Sequence, residues 1–492
     1  MRIVESLDKI GYTLLQGNLN AEAKEVVYDS RKAGKNAVFV CIKGTKTDSH
    51  DFIAQVLEKG VLVLVVEKEL KELGEDLPEH VTVFRVKNGR EALAHLSAAR
   101  FGYPARKMVC IGVTGTKGKT TTTYMIKAIL EAAGKKVGLI GTAGVVIGEQ
   151  TSPTRNTTPE SYELEYYFSK MVEEGCEYMI MEVSSQGMKM HRVDGIIFDY
   201  GIFTNISRDH IGPDEHKDFE EYLFYKSQIL KQCKVGIVNQ DDEHFSEIIK
   251  AHTCQLYTYG LKQKGDFRAD DIEYVSEPDF VGLKFLVKGS WEFDVKVNIP
   301  GKFNVYNALA ALSVCSFLGL SKEKVCHALE HLYVNGRMEI VHTSKRCTVI
   351  VDYAHNAVSM ESLLNTLKDY QPKRLVCVFG CGGNRSKDRR YSMGEIGGRL
   401  ADLCILTADN SRYEKTEDII ADIRGSLEKT KGKYLEIPDR RKAIEYSIVH
   451  AKEGDMIAII GKGHEDYQEI NGVRHPFSDR EVIQEIIQAQ RD

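Results

Sequence analysis

The sequence predicts an α/β protein of three domains, with a phosphate-loop parallel sheet at its centre and a Rossmann-like domain at its C-terminal end. Three observations predict it. A chain of 492 residues is too long for one domain. Residues 108–123, MVCIGVTGTKGKTTTT, run through an apolar strand, a Gly/Lys-rich loop and a helix start in succession. Around and beyond them, short apolar runs alternate with helical patterns, and such βαβ repetition implies parallel strands covered on both faces.

The loop comes first because it carries chemistry. Gly115, Thr116, Lys117, Gly118, Lys119, Thr120 and Thr121 follow the strand at 109–113 and open the helix at 124–133. Glycines let backbone N–H groups approach phosphate oxygens, and a helix N-terminus adds partial positive charge. Lys119 is placed to reach the β/γ-phosphates of ATP, and Thr120 to put a hydroxyl on Mg²⁺. Val113 stands where the strict G-x-x-x-x-G-K-[ST] pattern has its first glycine.

Composition excludes several classes. Hydrophobic residues make up 42% and charged residues 28%, ordinary for a soluble globular protein. A net charge of -5 gives no broad basic face, so no nucleic-acid partner is expected. The longest apolar runs, at 61–66 and 456–460, are far short of a membrane span, and the opening MRIVESLDKIGY lacks the apolar stretch of a signal peptide. The eleven cysteines form no C-x-x-C pair. They read as reduced, buried thiols of a cytoplasmic protein.

The first unit, residues 1–107, has strand patterns at 26–28, 37–42, 61–66 and 81–86 and helical ones at 50–60 and 89–100. Asp29-Ser30-Arg31 sits at a strand end, where a plain turn is the ordinary reading. Gly102-Tyr103-Pro104 reads as a linker. The second unit, residues 108–335, adds strands at 137–140, 178–183 and 200–203 and a helix at 161–174. Glu182 closes its strand, a usual place for a Mg²⁺ ligand beside a phosphate loop, but also for a solvated carboxylate. His210 follows the strand at 200–203, and Lys226 lies on a helix at 219–231; alone they read as a turn histidine and a surface lysine. Residues 281–300 read as strands. The apolar helix 301–318 has Asn304 and Asn307 in its first turn, where an amide caps a helix or reads an adenine. The third unit, residues 336–492, has strands at 347–353, 374–379, 403–407 and 456–460. Each empties into a polar loop, which predicts a site along one sheet edge, facing the nucleotide domain across a cleft.

Taken together and in order, these pieces resemble the Mur ligase family, in the branch that adds the third amino acid of a peptide stem. The resemblance rests on Asp29-Ser30-Arg31, Gly115 to Thr121, Asn156-Thr157-Thr158, Met181-Glu182-Val183-Ser184-Ser185 and His191-Arg192-Val193. It continues through Thr204-Asn205-Ile206-Ser207-Arg208-Asp209-His210, Tyr222-x-x-x-Lys226, Asn304-Val305-Tyr306-Asn307 and Gly336-Arg337-Met338-Glu339. Asp352-Tyr353-Ala354-His355 and the run from Gly461 to Gln468 complete it. The resemblance implies that ATP phosphorylates a carboxylate of UDP-MurNAc-L-Ala-D-Glu and that the amino group of a diamino acid attacks the acyl phosphate. It also implies roles. Lys119, Glu182, His210 and Lys226 are catalytic, with Thr120, Glu182, His210 and Lys226, as a CO₂-derived carbamate, at the metal. Asn304, Arg337 and Asp352 join the phosphate loop in binding ATP. Ser30 contacts the uridine diphosphate end, and Thr157, Thr158, Ser184 and Arg192 hold the muramoyl-peptide. A monomer is expected.

For the amino acid, the resemblance points to Arg390, Asp409, Asn410, Arg412, Gly461 and Glu465. A guanidinium suits the distal carboxylate of meso-diaminopimelate, which is favoured, with L-lysine next. Against that branch's usual pattern, Lys117 replaces asparagine, Gln186 histidine, Met190 glutamine and Ser411 proline, and residues 211–216 form a different loop. Two other readings are a folylpolyglutamate synthetase-like ligase, which would lack the Asp29-Ser30-Arg31 unit, and a P-loop module without ligase activity, which would need neither the Glu182–His210–Lys226 set nor the four polar loops.

Overall fold

A computed structural model describes residues 1–490 apart from 45–46, 74–76, 214, 263–264 and 278–279. The chain forms two compact units: residues 1–266 with 310–319, and residues 267–309 with 320–492.

The first unit holds two sheets. The N-terminal one has strands β1 (Thr13–Gln16), β2 (Glu25–Val27), β3 (Ala37–Val40), β4 (Val63–Val66) and β5 (Thr82–Arg85), in the order β1-β5-β4-β3-β2. All pair in parallel except β1. Strands β3 and β4 are buried throughout, which is why they read as unbroken valine-rich runs. The second sheet contains β6 (Val109–Thr114), β7 (Val137–Gly141), β8 (Gly144–Ile147), β9 (Gln150–Ser152), β10 (Tyr178–Glu182), β11 (Phe198–Phe203), β12 (Cys233–Asn239) and β13 (Gln255–Gly260). Within this unit the order is β13-β12-β11-β6-β10-β7-β8-β9. Strands β13 to β7 along that row are parallel, and β8 and β9 extend it antiparallel.

This order positions the site. β6 lies between β10 and β11, with Val113 opposite Glu182 and Thr114 opposite Phe203. The phosphate loop therefore leaves the sheet between the ends of two neighbours, at the strand carboxyl ends where such sheets bind ligands.

The second unit has three antiparallel strands, β14 (Phe267–Glu277), β15 (Phe280–Gly289) and β16 (Phe293–Val297). Its larger sheet contains β17 (Glu339–Thr343), β18 (Cys347–Asp352), β19 (Arg374–Phe379), β20 (Leu403–Leu406), β21 (Tyr434–Glu436) and β22 (Asp455–Ile460), in the order β17-β18-β22-β19-β20-β21. β18, β22, β19 and β20 are mutually parallel, so the four polar loops named from the sequence do leave one edge together. A hairpin of β23 (Tyr467–Ile470) and β24 (Val473–Pro476) follows. Helix Phe303–Phe317 is apolar on every face and buried along most of its length.

Strands β1, β8, β9, β12, β13, β14, β17, β21 and the final hairpin are not among those predicted from the sequence. Most are edge or mixed-polarity strands, whose partners rather than their own pattern define them. All eleven cysteines are free, nine buried and two half-buried. Among the described residues no helix is long and apolar enough to cross a membrane.

Candidate active site

Gly115 has φ +142°, and a Cβ there would lie 1.9 Å from Thr204 Oγ1 and 3.0 Å from the Asn205 carbonyl oxygen. Glycine is required by this close approach. Gly118, at φ +86°, starts helix Lys119–Ala132. The turn after β11 grips the loop from its other side. Asn205 O accepts from Thr116 N at 2.8 Å, Asn205 Oδ1 from Lys117 N at 3.0 Å, and Lys117 O takes Thr204 Oγ1 at 2.7 Å and Asn205 Nδ2 at 3.0 Å. Three of these four contacts use the Lys117 backbone and none uses its side chain, so they place no demand on the side chain at that position. Lys119 Nζ donates to Gly115 O at 2.8 Å and Thr116 O at 3.2 Å.

Glu182 is 1% exposed and far from a solvated strand end. Its Oε1 accepts from Thr120 Oγ1 at 2.9 Å and Thr142 N at 3.0 Å, and its Oε2 from Thr142 Oγ1 at 3.2 Å. A Cβ on Gly141 would sit 2.3 Å from Oε1, so that glycine makes room for the carboxylate. Buried carboxylate and hydroxyl oxygens at a helix N-terminus form a hard oxygen set that suits Mg²⁺.

Lys226 overturns its surface reading. It is 2% exposed on helix Phe219–Ser227, its Nζ donates to Gly115 O at 2.7 Å, and it lies 4.9 Å above the Tyr222 ring. Burial, helped by the charge of Lys119, drives its pKa well below the ordinary lysine range against the opposing pull of Asp209. Tyr222 is fully buried and shares a 3.0 Å hydrogen bond with Thr116 Oγ1.

His210 stands apart from the others. It has φ +53°, its side chain is half exposed, and its Nδ1 pairs with Glu215 Oε1 at 2.8 Å. Its ring centre lies 6.0 Å from that of Tyr222. Glu182, His210 and Lys226 were grouped from the sequence as one metal set, yet the structure gives them no hydrogen bond to one another. Among the described residues no three His, Cys, Asp or Glu side chains converge on a metal position. Asp214, in the divergent loop 211–216, lies outside the described residues.

The substrate set is partly assembled. Thr157 Oγ1 is 3.0 Å from Thr142 Oγ1. Thr158 Oγ1 donates to Glu182 O at 2.9 Å and accepts from Ser184 N at 2.9 Å, and Ser184 Oγ caps helix Ser185–Lys189. Arg192 donates to Thr158 O at 3.1 Å and Glu160 Oε1 at 2.9 Å. Ser30 begins a short 3₁₀ turn whose Asp29 cap pairs with Arg31 at 2.8 Å; that guanidinium holds Asp29 down at about 2.

In the second unit, Asn304 is buried, donating to Pro300 O at 2.6 Å and accepting from Asn307 Nδ2 at 2.8 Å. Arg337 packs 5.2 Å from the Tyr353 ring. The Asp352 carboxylate accepts from Met338 N and Ala354 N, each at 2.7 Å; burial pushes its pKa up while Arg337 opposes. A Cβ on Gly336 would meet His464 N at 2.2 Å, so this turn is pressed against the loop after β22.

Asp409, Asn410, Gly461 and Glu465 do come together. Asn410 Nδ2 donates to Glu465 Oε2 at 2.9 Å, Asn410 N donates to Asp409 Oδ1 at 2.7 Å, and a Cβ on Gly461 would lie 2.8 Å from Asp409 Oδ2. Lys462, to which the sequence pattern assigns no role, is fully buried among them. Thr142, Asn205 and Tyr222 were likewise given no role; Thr142 follows an apolar strand as Glu182 ends one, a signal that was present. Arg412 has φ +50°, and its Nη1 donates to Gly383 O at 2.7 Å and its Nε to Glu469 Oε2 at 3.3 Å. Its backbone pairs with the hairpin through Arg412 N to Glu469 O at 2.9 Å and Asn471 N to Arg412 O at 2.6 Å. Arg390 behaves differently from the sequence expectation. Its side chain is 1% exposed and is engaged by Glu414, at 2.7 Å, and Asp422, at 2.9 Å.

Residues 22–101, 113–315 and 336–463 match, in turn, the families described as Mur ligase family catalytic domain, Mur ligase middle domain, and Mur ligase glutamate ligase domain. The chain is also 41% identical over 489 residues to a UDP-N-acetylmuramoyl-L-alanyl-D-glutamate--2,6-diaminopimelate ligase of Caldanaerobacter subterraneus subsp. tengcongensis, covering 99% of each. This chain belongs to the Mur ligase family. A protein of the same name from Clostridioides difficile is 40% identical, covering 99% of this chain and 98% of its own length. A solved structure of a diaminopimelate ligase of this name overlays with a TM-score of 0.76 at 28% identity, covering 100% of this chain and 99% of the other. The chain thus has the three-domain Mur ligase fold, and like other Mur ligases it is an ATP-dependent, amide-bond-forming enzyme.

Proposed function

We propose that this Mur ligase joins a diamino acid to the D-Glu γ-carboxylate of UDP-MurNAc-L-Ala-D-Glu, with meso-diaminopimelate favoured over L-lysine. ATP phosphorylates the carboxylate, and the incoming amine displaces phosphate from the acyl phosphate through a tetrahedral intermediate. The observation that carries the ligase chemistry is the convergence of Lys119, Thr120, Glu182 and Lys226 on the phosphate loop around Gly115. Both steps pass through crowded negative charge, so positioning and cationic stabilisation supply most of the rate.

In this reading Lys119 holds the phosphates, and Thr120, Glu182 and, on the family resemblance alone, His210 would hold Mg²⁺, which when bound would act as a Lewis acid. Burial favours the neutral, nucleophilic amine of Lys226, and its Nζ adds CO₂: an N–C bond forms as one C=O π bond opens, one proton leaves the nitrogen, and the neutral amine becomes an anionic carbamate able to join the metal site. Thr157, Thr158, Ser184 and Arg192 hold the muramoyl-peptide and Ser30 its uridine diphosphate end, while Asn304, Arg337 and Asp352 contact the nucleotide. Arg412 takes the distal carboxylate of the amino acid, and Gly461 and Glu465 its ammonium end; Arg390 braces the loop from behind. The full-length relatives, named for 2,6-diaminopimelate, support the choice of amino acid. The enzyme acts as a cytoplasmic monomer. Solved folylpolyglutamate synthases share the fold at 17–18% identity but cover only 74–75% of this chain, and nothing favours them as a guide to substrate.

The test is phosphate release from ATP by the purified chain with UDP-MurNAc-L-Ala-D-Glu and, in turn, meso-diaminopimelate, L-lysine and L-ornithine. Stimulation is expected with meso-diaminopimelate above the other two. No stimulation by any of them removes the reading, and a preference for lysine removes the role given to Arg412.

A further inference from the structure

We infer that Lys462 is a positioning residue for the incoming amino acid, acting through Asn410 and Glu465. The inference rests on the proposed use of these loops for that substrate.

Lys462 is 0% exposed, unusual for a lysine unless its charge is compensated. Its Nζ donates to Glu465 Oε2 at 3.0 Å and Asn410 Oδ1 at 3.1 Å, with Asp409 Oδ1 at 3.9 Å and the Tyr467 ring centre at 5.3 Å. An ammonium donates only, so it dictates which end of the Asn410 amide faces it. Oδ1 turns to Lys462 and to Glu469 N, at 2.9 Å, and Nδ2 is thereby directed at Glu465 Oε2, at 2.9 Å. One oxygen of Glu465 thus takes two donors from within the protein. The other, Oε1, makes no hydrogen bond among the described residues and is left for a ligand.

Charge leads the same way. Asp409 and Glu465 carry two negative charges and Lys462 one positive. The neighbouring Arg440 is neutralised by Asp479 at 2.6 Å, and Arg412 faces Glu469 at 3.3 Å. One negative charge is left over beside Glu465, which favours a cationic group over an anionic one there. Lys462 therefore does two things: it aims Glu465 Oε1, and it offsets part of the negative charge around it.

The experiment compares wild type, Lys462→Met, Glu465→Gln and the double variant in the phosphate-release assay, with thermal unfolding run alongside. Lys462→Met is expected to raise KM for the diamino acid about tenfold to a hundredfold, the scale of a lost charged hydrogen bond, while KM for ATP stays within about twofold. Because Lys462 acts through Glu465, the double variant should match the worse single variant rather than multiply the two effects. Lys462→Arg keeps the charge but not the point geometry, and should show the same selective rise more weakly; it carries the test if Lys462→Met does not fold. An unchanged amino-acid KM, an equal loss of ATP and amino-acid affinity, or multiplicative effects would each overturn the inference. A wild-type enzyme that no diamino acid stimulates would instead overturn the proposed function.

Discussion

At the scale of single residues, the site is built from groups whose burial contradicts their type. Lys226 is the clearest case. A solvated lysine is a cation and cannot add CO₂; burial, helped by the charge of Lys119, drives the pKa of Lys226 down and so favours the neutral amine that can. Lys226→Ala is expected to lower turnover about a hundredfold or more, as removal of a group that stabilises developing charge does. Short carboxylic acids such as acetate should restore part of it by supplying the missing anion. Wild-type rates in the variant would return Lys226 to a packing role. Phosphate release with and without acetate reads both outcomes. The sequence held the identity of Lys226, Glu182 and Thr120 but not their burial, because burial depends on which strands flank β6. Lys462 was harder to read. It sits in a glycine-rich loop with no apolar periodicity, and only the fold brings Asn410, some fifty residues away, against it.

At the scale of elements, strand ends do the positioning and helices do the bracing. The sequence made β6, β10 and β11 legible because parallel strands buried on both faces are continuous apolar runs. The resemblance assigns Arg390 to the amino-acid substrate, but an arginine on a helix near a substrate loop serves a neighbouring element as readily as a ligand. Here Arg390, on helix Lys387–Leu400, joins Asp422, on helix Thr416–Leu427, and Glu414, just before it. Arg390→Met leaves Glu414 without its ion-pair partner and Asp422 with Lys387 alone, and because both carboxylates are partly exposed it should cost about 1–3 kcal/mol, the scale of lost charged hydrogen bonds. Urea unfolding measures that loss. Amino-acid KM should change much less than in Lys462→Met; a larger change would give Arg390 the ligand role that its motif suggested.

At the scale of the whole molecule, the three-part α/β architecture and the edge carrying the four polar loops were legible from strand–loop order alone, whereas the edge strands were not. Global stability should show one titration that has no part in the chemistry. Glu165, on helix Ser161–Glu173, is 3% exposed, its Oε2 has no hydrogen-bond partner, and burial pushes its pKa from 4.5 up to about 8. A carboxyl whose pKa is raised by folding favours the folded state at low pH, and that contribution is lost as pH rises from the unfolded value through the folded one. Stability should therefore decline between about pH 5 and pH 8, and Glu165→Gln should flatten the decline, with a higher Tm than wild type at pH 8 and little difference at pH 5. Calorimetric scans at the two pH values check this, and parallel curves would exclude it. The pairing of Arg412 with the terminal hairpin bears on how such an enzyme can change over generations. Two of the joining bonds run from backbone to backbone, through Glu469 O and Asn471 N, and backbone atoms are common to nearly every amino acid; only the bond from Arg412 Nε to Glu469 Oε2 depends on a hairpin side chain. Mutation can therefore rewrite much of the hairpin, Glu469 apart, while the arginine stays where it is, so the placement of Arg412 is insulated from drift in the very segment that supports it.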